Sequence, residues 1–472
     1  MNIKRFHMRR IRITKHRIIW AIGIWAIIVA VPLALTAVQL QRGNLKELNV
    51  LFGKWQTPGT DRRVVVFAPH CDDEVIAAGG LIRQAAATGA KVTVVLVTNG
   101  DGSRYAARID SRSINVSPQY YIGFGYRRQK ETRAALATVS AAKIRVITLG
   151  YPDRGLEQMW MSNWNTPCES RYTHDSRSPY TNSMTRNAPF TGRQLMSDVK
   201  KVLKEIDPTD IYIPHPCDQH PDHWATSAFV TEALYDEGWL KDRHVGLYLV
   251  HRGDWPLPQG LHEGTNLAPP ARLDRMDTRW YQYELKSDSI SAKKRAMDKY
   301  RTQTGFNRRF LLGFVRKNEL FGIRDAELGL SHRDRIRIDG RTGDWGDLDP
   351  VIVDPQNDGI PSHSRPSADL TEIYAAENKG QLCFRIKVRG TISRSTSFNL
   401  RIRPLDSSRP TAVVTLGRGV KPPKGWQVAF GKREMEAACP AGRLKNQPFM
   451  LAVGTKFSWF QIDRSAYRIL EP

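Results

Sequence analysis

Two short stretches of the chain concentrate side chains that can hold a metal ion and move protons. The first is Pro69-His70-Cys71-Asp72-Asp73-Glu74. The second is Pro214-His215-Pro216-Cys217-Asp218-Gln219-His220-Pro221-Asp222-His223. Histidine and carboxylate ligands with one position left open make a hydrolytic zinc site. Two neutral imidazoles and one carboxylate leave a net charge of about +1, which draws the pKa of bound water toward ~7 and polarises a carbonyl. A neighbouring carboxylate that is not a ligand can accept the proton of that water. Consecutive Asp residues at a strand-to-helix turn point in different directions, so one can bind metal while the other faces substrate. His220 and His223 are three apart at the start of a helix and share a face. One can ligate while the other meets a developing oxyanion. Helix capping by Asp72, Asp73 or Asp222 explains any one of these residues, but not two dense clusters together.

The elements around the clusters place them at one rim. Val64-Val65-Val66-Phe67 is a continuous apolar run of the kind found in a strand buried on both faces. An Ala-rich helix over 75–88, closed by Gly89, precedes a strand over 92–97. Helices over 128–140, 192–206 and 222–237 alternate with strands over 144–149, 211–213 and 245–250. Strands alternating with helices predict an α/β fold, a Rossmann-like three-layer sandwich with a mostly parallel sheet. Such sheets build their sites beyond the carboxyl ends of the strands, where both clusters fall.

The segments Pro-His-Cys-Asp-Asp-Glu and His220-Pro-Asp-His223 resemble the two signatures of the PIG-L/LmbE-like family of zinc-dependent N-acetylglucosaminide deacetylases. Arg128-Gln-Lys-Glu131, Tyr151-Pro152-Asp153 and the stretch from Ala296 to Gln303 are similar to the family's intervening helix, substrate-side loop and closing helix. The resemblance covers residues 63–325. It implies His70, Asp73 and His223 as ligands of one Zn2+, with Fe2+ as the other metal this set admits. It implies Asp72 as general base and His220 as the group that stabilises the oxyanion or protonates the leaving amine. Glu74 would support the site from behind, and Arg128 and Asp153 would contact substrate. The implied reaction is hydrolysis of a linear amide C–N bond, the N-acetyl group of an N-acetylglucosamine-type sugar, releasing acetate and a free amine.

Cys71 stands where that family has proline, which loosens the turn that aims Asp72 and Asp73. Cys71 and Cys217 are read as buried inert thiols; a disulfide between them is the alternative in an oxidising compartment. The stretches 100–126 and 154–190 show little periodicity and read as long rim loops. Tyr105, Tyr120, Tyr121, Trp160 and Trp164 lie there as candidate sugar-stacking faces.

Beyond residue 330 the pattern changes to period-two alternation, as in Leu382 to Val388 and Phe398 to Ile402. Residues 333–472 are expected to form an antiparallel β-sandwich accessory domain. Its Ile338-Asp339-Gly340 to Asp344-Trp345 opening is similar to family-nine-like carbohydrate-binding modules, which implies glycan binding. Asp354, Asp358 and Asp369 are read as acidic turn residues, with calcium binding as the other reading.

The chain has 472 residues, 71 Lys and Arg against 47 acids, and a net charge of +24. With 41% apolar and 25% charged residues it is globular rather than disordered. Five cysteines and no CxxC pair exclude a disulfide miniprotein and a zinc ribbon. Seven of the basic residues fall in residues 1–17, which hold no acid and read as a cytoplasmic tail. Ile18 to Val38 then runs uncharged; as a helix it would be about 31 Å long, against a hydrocarbon core of ~30 Å. This predicts a single-pass anchor in a bacterial cytoplasmic (inner) membrane, a linker over 39–62, and the remainder outside the cytosol. A cleaved signal peptide is the alternative. The clusters Arg127, Arg128, Lys130 and Lys293, Lys294, Arg295 are read as solvated surface, and no nucleic-acid module is present. The expectation is a membrane-anchored deacetylase of envelope glycans. An amidase on another N-acyl substrate and a catalytically weakened glycan-binding tether are the alternatives.

Overall fold

The computed structural model describes residues 53–253, 255–273, 276–358, 360–406 and 409–472. The central sheet has eight strands: β1 (Gly53–Lys54), β2 (Arg63–Ala68), β3 (Lys91–Thr98), β4 (Arg145–Tyr151), β5 (Asp210–Pro214), β6 (His244–Tyr248), β7 (Arg279–Glu284) and β8 (Asn318–Ile323). Their order is β1-β7-β8-β6-β5-β2-β3-β4. The run from β6 to β4 is parallel throughout. Along β2, Val64, Val66 and Ala68 enter one apolar core and Val65 and Phe67 the other, because side chains alternate and helices cover both faces. The helices are α1 (Asp73–Ala87), α2 (Arg104–Ser111), α3 (Pro118–Val139), α4 (Leu156–Met161), α5 (Gly192–Ile206), α6 (Pro221–Asp236), α7 (Ser287–Met297) and α8 (Arg301–Leu312).

The structure corrects the sequence reading at several points. Strand β8 runs antiparallel to both β6 and β7, an extension of the sheet that the alternation pattern did not predict. The stretch 100–126 is largely helical: α3 starts ten residues before the expected position, because Ser117 caps it by accepting the Tyr120 N–H and Pro118 sits in its first turn. The stretch 296–303 is a junction between α7 and α8 rather than one helix. Lys293 is not solvated; it is buried against Glu319 at 2.6 Å. Gly53 and Lys54 pair with β7, and the Trp55 indole donates to the Tyr212 hydroxyl at 2.9 Å, so this part of the expected linker lies on the sheet. The expected anchor over 18–38 lies outside the described residues. Among the described residues no helix is long and apolar enough to cross a membrane.

Two six-stranded sheets follow: β9 (Glu327–Gly329), β10 (Ser331–His332), β11 (Ile352–Val353), β12 (Leu370–Asn378), β13 (Gln381–Val388), β14 (Thr396–Pro404), β15 (Ala412–Gly417), β16 (Gln427–Phe430), β17 (Glu434–Pro440), β18 (Phe449–Phe457), β19 (Phe460–Arg464) and β20 (Arg468–Glu471). One has the order β10-β12-β13-β17-β16 with β11 on β12, the other β15-β14-β18-β20-β9 with β19 on β18. Pairing is antiparallel except for β10 with β12 and β9 with β20.

The C-terminal sheets dock on α6, the helix that carries the second motif. Arg403 and Glu232 form a fully buried ion pair at 2.8 Å. Trp224 donates to the Ser465 carbonyl, and the Tyr467 hydroxyl bonds Ser227 and Thr231. Glu157 on α4 takes Arg401 at 2.8 Å and Arg464 at 3.2 Å.

Candidate active site

His70 follows β2 and His223 sits in the first turn of α6, which follows β5; parallel pairing of β2 with β5 brings the two strand ends together. His70 Nδ1, His223 Nε2 and Asp73 Oδ2 form a triangle with sides of 3.3, 2.9 and 3.2 Å. Atoms bound tetrahedrally to one ion at zinc–ligand lengths lie about 3.3 Å apart. The three side chains expected to ligate are therefore already at ligand spacing. All three are buried, and Asp73 Oδ1 takes no hydrogen bond.

A carboxylate stands behind each imidazole. His70 Nε2 lies 3.3 Å from Asp222 Oδ2, and Asp222 is itself held by the backbone N–H groups of Arg154 and Leu156. His223 Nδ1 lies 3.1 Å from Asp218 Oδ2, whose carboxylate accepts the N–H groups of His220, Val250 and His251. Such partners favour a proton on the facing ring nitrogen and would leave the opposite one to a metal. Burial opposes charge on His70 and His223, yet the surrounding carboxylates hold His70 well above the ordinary imidazole value and raise His223 to about 9. Burial likewise opposes the charge of Asp73 and Asp218, but the imidazoles hold Asp73 well below the usual range and Asp218 at about 2. The pocket favours positive charge, and a divalent cation held there would displace those protons.

Asp72 occupies the N-cap position of α1 but does not cap it through its side chain. Its backbone has φ 137°, a conformation that costs ~1–3 kcal/mol outside glycine, and its side chain makes no cap bond. The strain is held from both sides. Glu74 Oε2 accepts the Asp72 N–H at 3.0 Å, and the Tyr300 hydroxyl donates to Glu74 Oε1 at 2.6 Å. Arg128, almost fully buried, donates to the carbonyls of Cys71 and Gly100 and lies 3.1 Å from Asp72 Oδ2. Gly100 has φ +61°, and a Cβ there would stand 1.8 Å from Arg128 Nη1, so glycine is required. Burial raises the Asp72 carboxyl to about 7, with Arg128 opposing and Asp73 and Glu74 adding to the rise.

His220 is the N-cap of α6: its Nδ1 accepts the Asp222 N–H at 3.2 Å. Burial and the neighbouring His70, His251 and His223 push its pKa well below the ordinary value. A neutral imidazole whose Nδ1 accepts carries its proton on Nε2. Asp153 Oδ2 accepts the Gly102 N–H, and its Oδ1 lies 3.5 Å from His70 Nε2. Asp72, Asp153, His220 and Arg128 all line a cleft of about 450 Å³, with Tyr105, Tyr172, Phe306 and Phe310 in its walls. This is a usual size for a small-molecule site. Trp160 and Trp164 are core residues and do not reach the cleft; Tyr121 packs on Tyr172. The cysteines are unpaired and buried, so Cys71 and Cys217 form no disulfide.

Sequence reasoning missed His251. Its Nε2 lies 3.7 Å from the unbonded Asp73 Oδ1, its ring stacks on Phe310, and it can join His70, Asp73 and His223 around one ion. The signal was present: His251 directly follows the run read as a strand over 245–250, the position at which a parallel sheet puts its site. A second grouping of His70, Asp153, His220 and Asp222 shares His70 with the first.

The triangle of His70, Asp73 and His223 and the strained Asp72 turn lie within a stretch that matches a known family. Residues 65–234 match the PIG-L family, GlcNAc-PI de-N-acetylase. The match spans less than half of the chain. No curated protein matches it. Among solved structures, the A40926 pseudoaglycone deacetylase Dbv21 is 19% identical, with 57% of this chain and 99% of that one covered and a TM-score of 0.36. The N,N'-diacetylchitobiose deacetylase from Pyrococcus horikoshii is 19% identical, with 57% and 86% covered and a TM-score of 0.35. The 4-carboxy-2-hydroxymuconate hydratase GalB from a Pseudomonas is 15% identical, with 53% and 82% covered and a TM-score of 0.32.

Proposed function

We propose that this protein is a metal-dependent N-deacetylase that hydrolyses the N-acetyl group of an N-acetylglucosamine-type sugar in an envelope glycan or glycoconjugate. The observation that carries this reading is the triangle of His70 Nδ1, His223 Nε2 and Asp73 Oδ2, at ligand spacing beside the Asp72 carboxylate, which makes no helix-cap bond. These three residues would hold Zn2+ or Fe2+, and His251 is in reach as a fourth. When bound, the metal supplies Lewis acidity toward the acetyl carbonyl and lowers the pKa of water.

The chain's own residues do the rest. Asp72 accepts a proton from the attacking water, and a carboxyl near 7 is poised to take it and pass it to the leaving amine. Arg128 keeps that carboxylate in place through its contact at 3.1 Å. His220 points a neutral Nε2–H toward the developing oxyanion. Asp153 and the aromatic walls of the cleft bind the sugar, and Arg104, Arg154 and Arg171 at the cleft suit an anionic aglycone. The basic tail and apolar run at residues 1–38 support a place on the outer face of a membrane, and the C-terminal sheets a glycan-binding role.

The test is acetate release from N-acetylated sugars by the full chain, with Asp72→Asn alongside. Acetate that the variant fails to release supports the deacetylase. A different acyl product makes the protein an amidase, and glycan retention without release makes it a tether.

A further inference from the structure

A second group of carboxylates lies outside the catalytic cleft, where the C-terminal sheets meet its rim. Asp358, Asp369 and Asp463 each offer an oxygen within 4.8 Å of the others. Asp369 precedes β12, Asp463 lies in β19, and Asp358 is in the turn after β11. Carboxylate clusters alone are ordinary, but Asp354 beside them is not. It is 3% exposed, and neither of its oxygens takes a hydrogen bond. It follows β11, which pairs antiparallel with β12, and its N–H donates to the Thr371 carbonyl, two residues from Asp369. A buried carboxylate without hydrogen bonds is costly to keep charged unless a cation joins it.

We propose that Asp358, Asp369 and Asp463 bind one divalent cation of the calcium class at this seam, with the buried Asp354 carboxylate beside it. Arg389 pairs with Asp369 and Arg252 lies 3.5 Å from Asp358. Asp369 also accepts the Asn357 N–H, Asp463 the N–H groups of Leu370 and Arg464, and Asp358 the Ser362 hydroxyl. Each carboxylate oxygen has two lone pairs, so these bonds leave directions free for a metal. The donors are all oxygen and come mainly from loops, which selects Ca2+ over zinc or iron.

The cation would brace the catalytic rim. The Gln219 side chain donates to the Asp358 carbonyl at 3.0 Å, and Arg464, next to Asp463, donates to the carbonyls of Asp218 and Gln219. Asp218 is the carboxylate behind His223. The site stands whether or not the protein is a deacetylase, since its evidence lies in the C-terminal sheets.

The test is calorimetric titration of the full chain with CaCl2, paired with thermal unfolding and with elemental analysis of protein purified without added metal. One calcium per chain is expected, with a rise in Tm on adding Ca2+. Asp354→Asn and the less buried Asp358→Asn should each weaken Ca2+ binding by at least about tenfold, while zinc or iron content stays that of the wild type. Asp72→Asn should bind Ca2+ normally. No heat and no Tm rise at millimolar CaCl2, or Ca2+ binding unchanged in both Asp354→Asn and Asp358→Asn, would overturn the proposal.

Discussion

Asp218 Oδ2 stands 3.1 Å from His223 Nδ1, on the far side of the ring from the Nε2 that meets Asp73 at 2.9 Å. One imidazole thus joins a positioning carboxylate to the ligand triangle. Asp218→Asn keeps the shape but loses the charge that orients the ring and raises its basicity. Metal affinity should fall about 10–100-fold. Competitive chelation followed by metal analysis reads this directly, and wild-type affinity in Asp218→Asn would remove Asp218 from the metal site.

Asp72 makes no cap bond, and its carboxylate, held by Arg128, lines the cleft as the proposed proton acceptor. Asp72→Asn should lower kcat by about 10²–10⁴-fold, with metal content and Tm close to wild type. Retained activity in a fully metallated variant would place the base elsewhere.

Burial works against the charge of Glu157, but Arg464 and Arg401 outweigh it and hold its pKa below the ordinary 4.5. A carboxylate with a lower pKa folded than unfolded adds stability above the unfolded value, and that stability is lost as pH falls through the folded value. Tm should therefore decline as pH drops below about 4.5, and Glu157→Gln should flatten part of that decline. Thermal scans across the acid range test it; superimposable curves for the two proteins would mean that this contact between α4 and the C-terminal sheets carries no linkage.

Arg403 and Glu232 are both fully buried, with Arg403 also over the Trp164 ring. Arg403→Met leaves Glu232 as an uncompensated buried charge and should cost about 3–5 kcal/mol in denaturant unfolding. The double variant Glu232→Met, Arg403→Met should recover most of that loss. A double variant no more stable than the single one would show that packing rather than charge dominates the contact.

The chain order already displays both His- and carboxylate-rich motifs. Pro-His-Cys-Asp-Asp-Glu and His-Pro-Asp-His each follow an apolar run, and period and spacing are local properties that survive in one dimension. That His70, Asp73 and His223 share a rim was legible because parallel strands put their carboxyl ends on one side. His251 was legible by the same rule. The long helix α3 was hidden because its first turns carry aromatic and glycine residues with weak helical periodicity, although Ser117-Pro118 announced its start.

Other features depended on the tertiary structure. Asp72 reads equally as a helix cap or as an uncommitted carboxylate until the backbone turn shows that its side chain makes no cap bond. Lys293 reads as a surface lysine until Glu319, which lies on a different element, buries it. The carboxylates at Asp354, Asp358, Asp369 and Asp463 span more than a hundred positions and look like separate turns. Only the folding of β11, β12 and β19 against each other makes them neighbours, because burial and Coulomb interaction depend on distance in space and not along the chain.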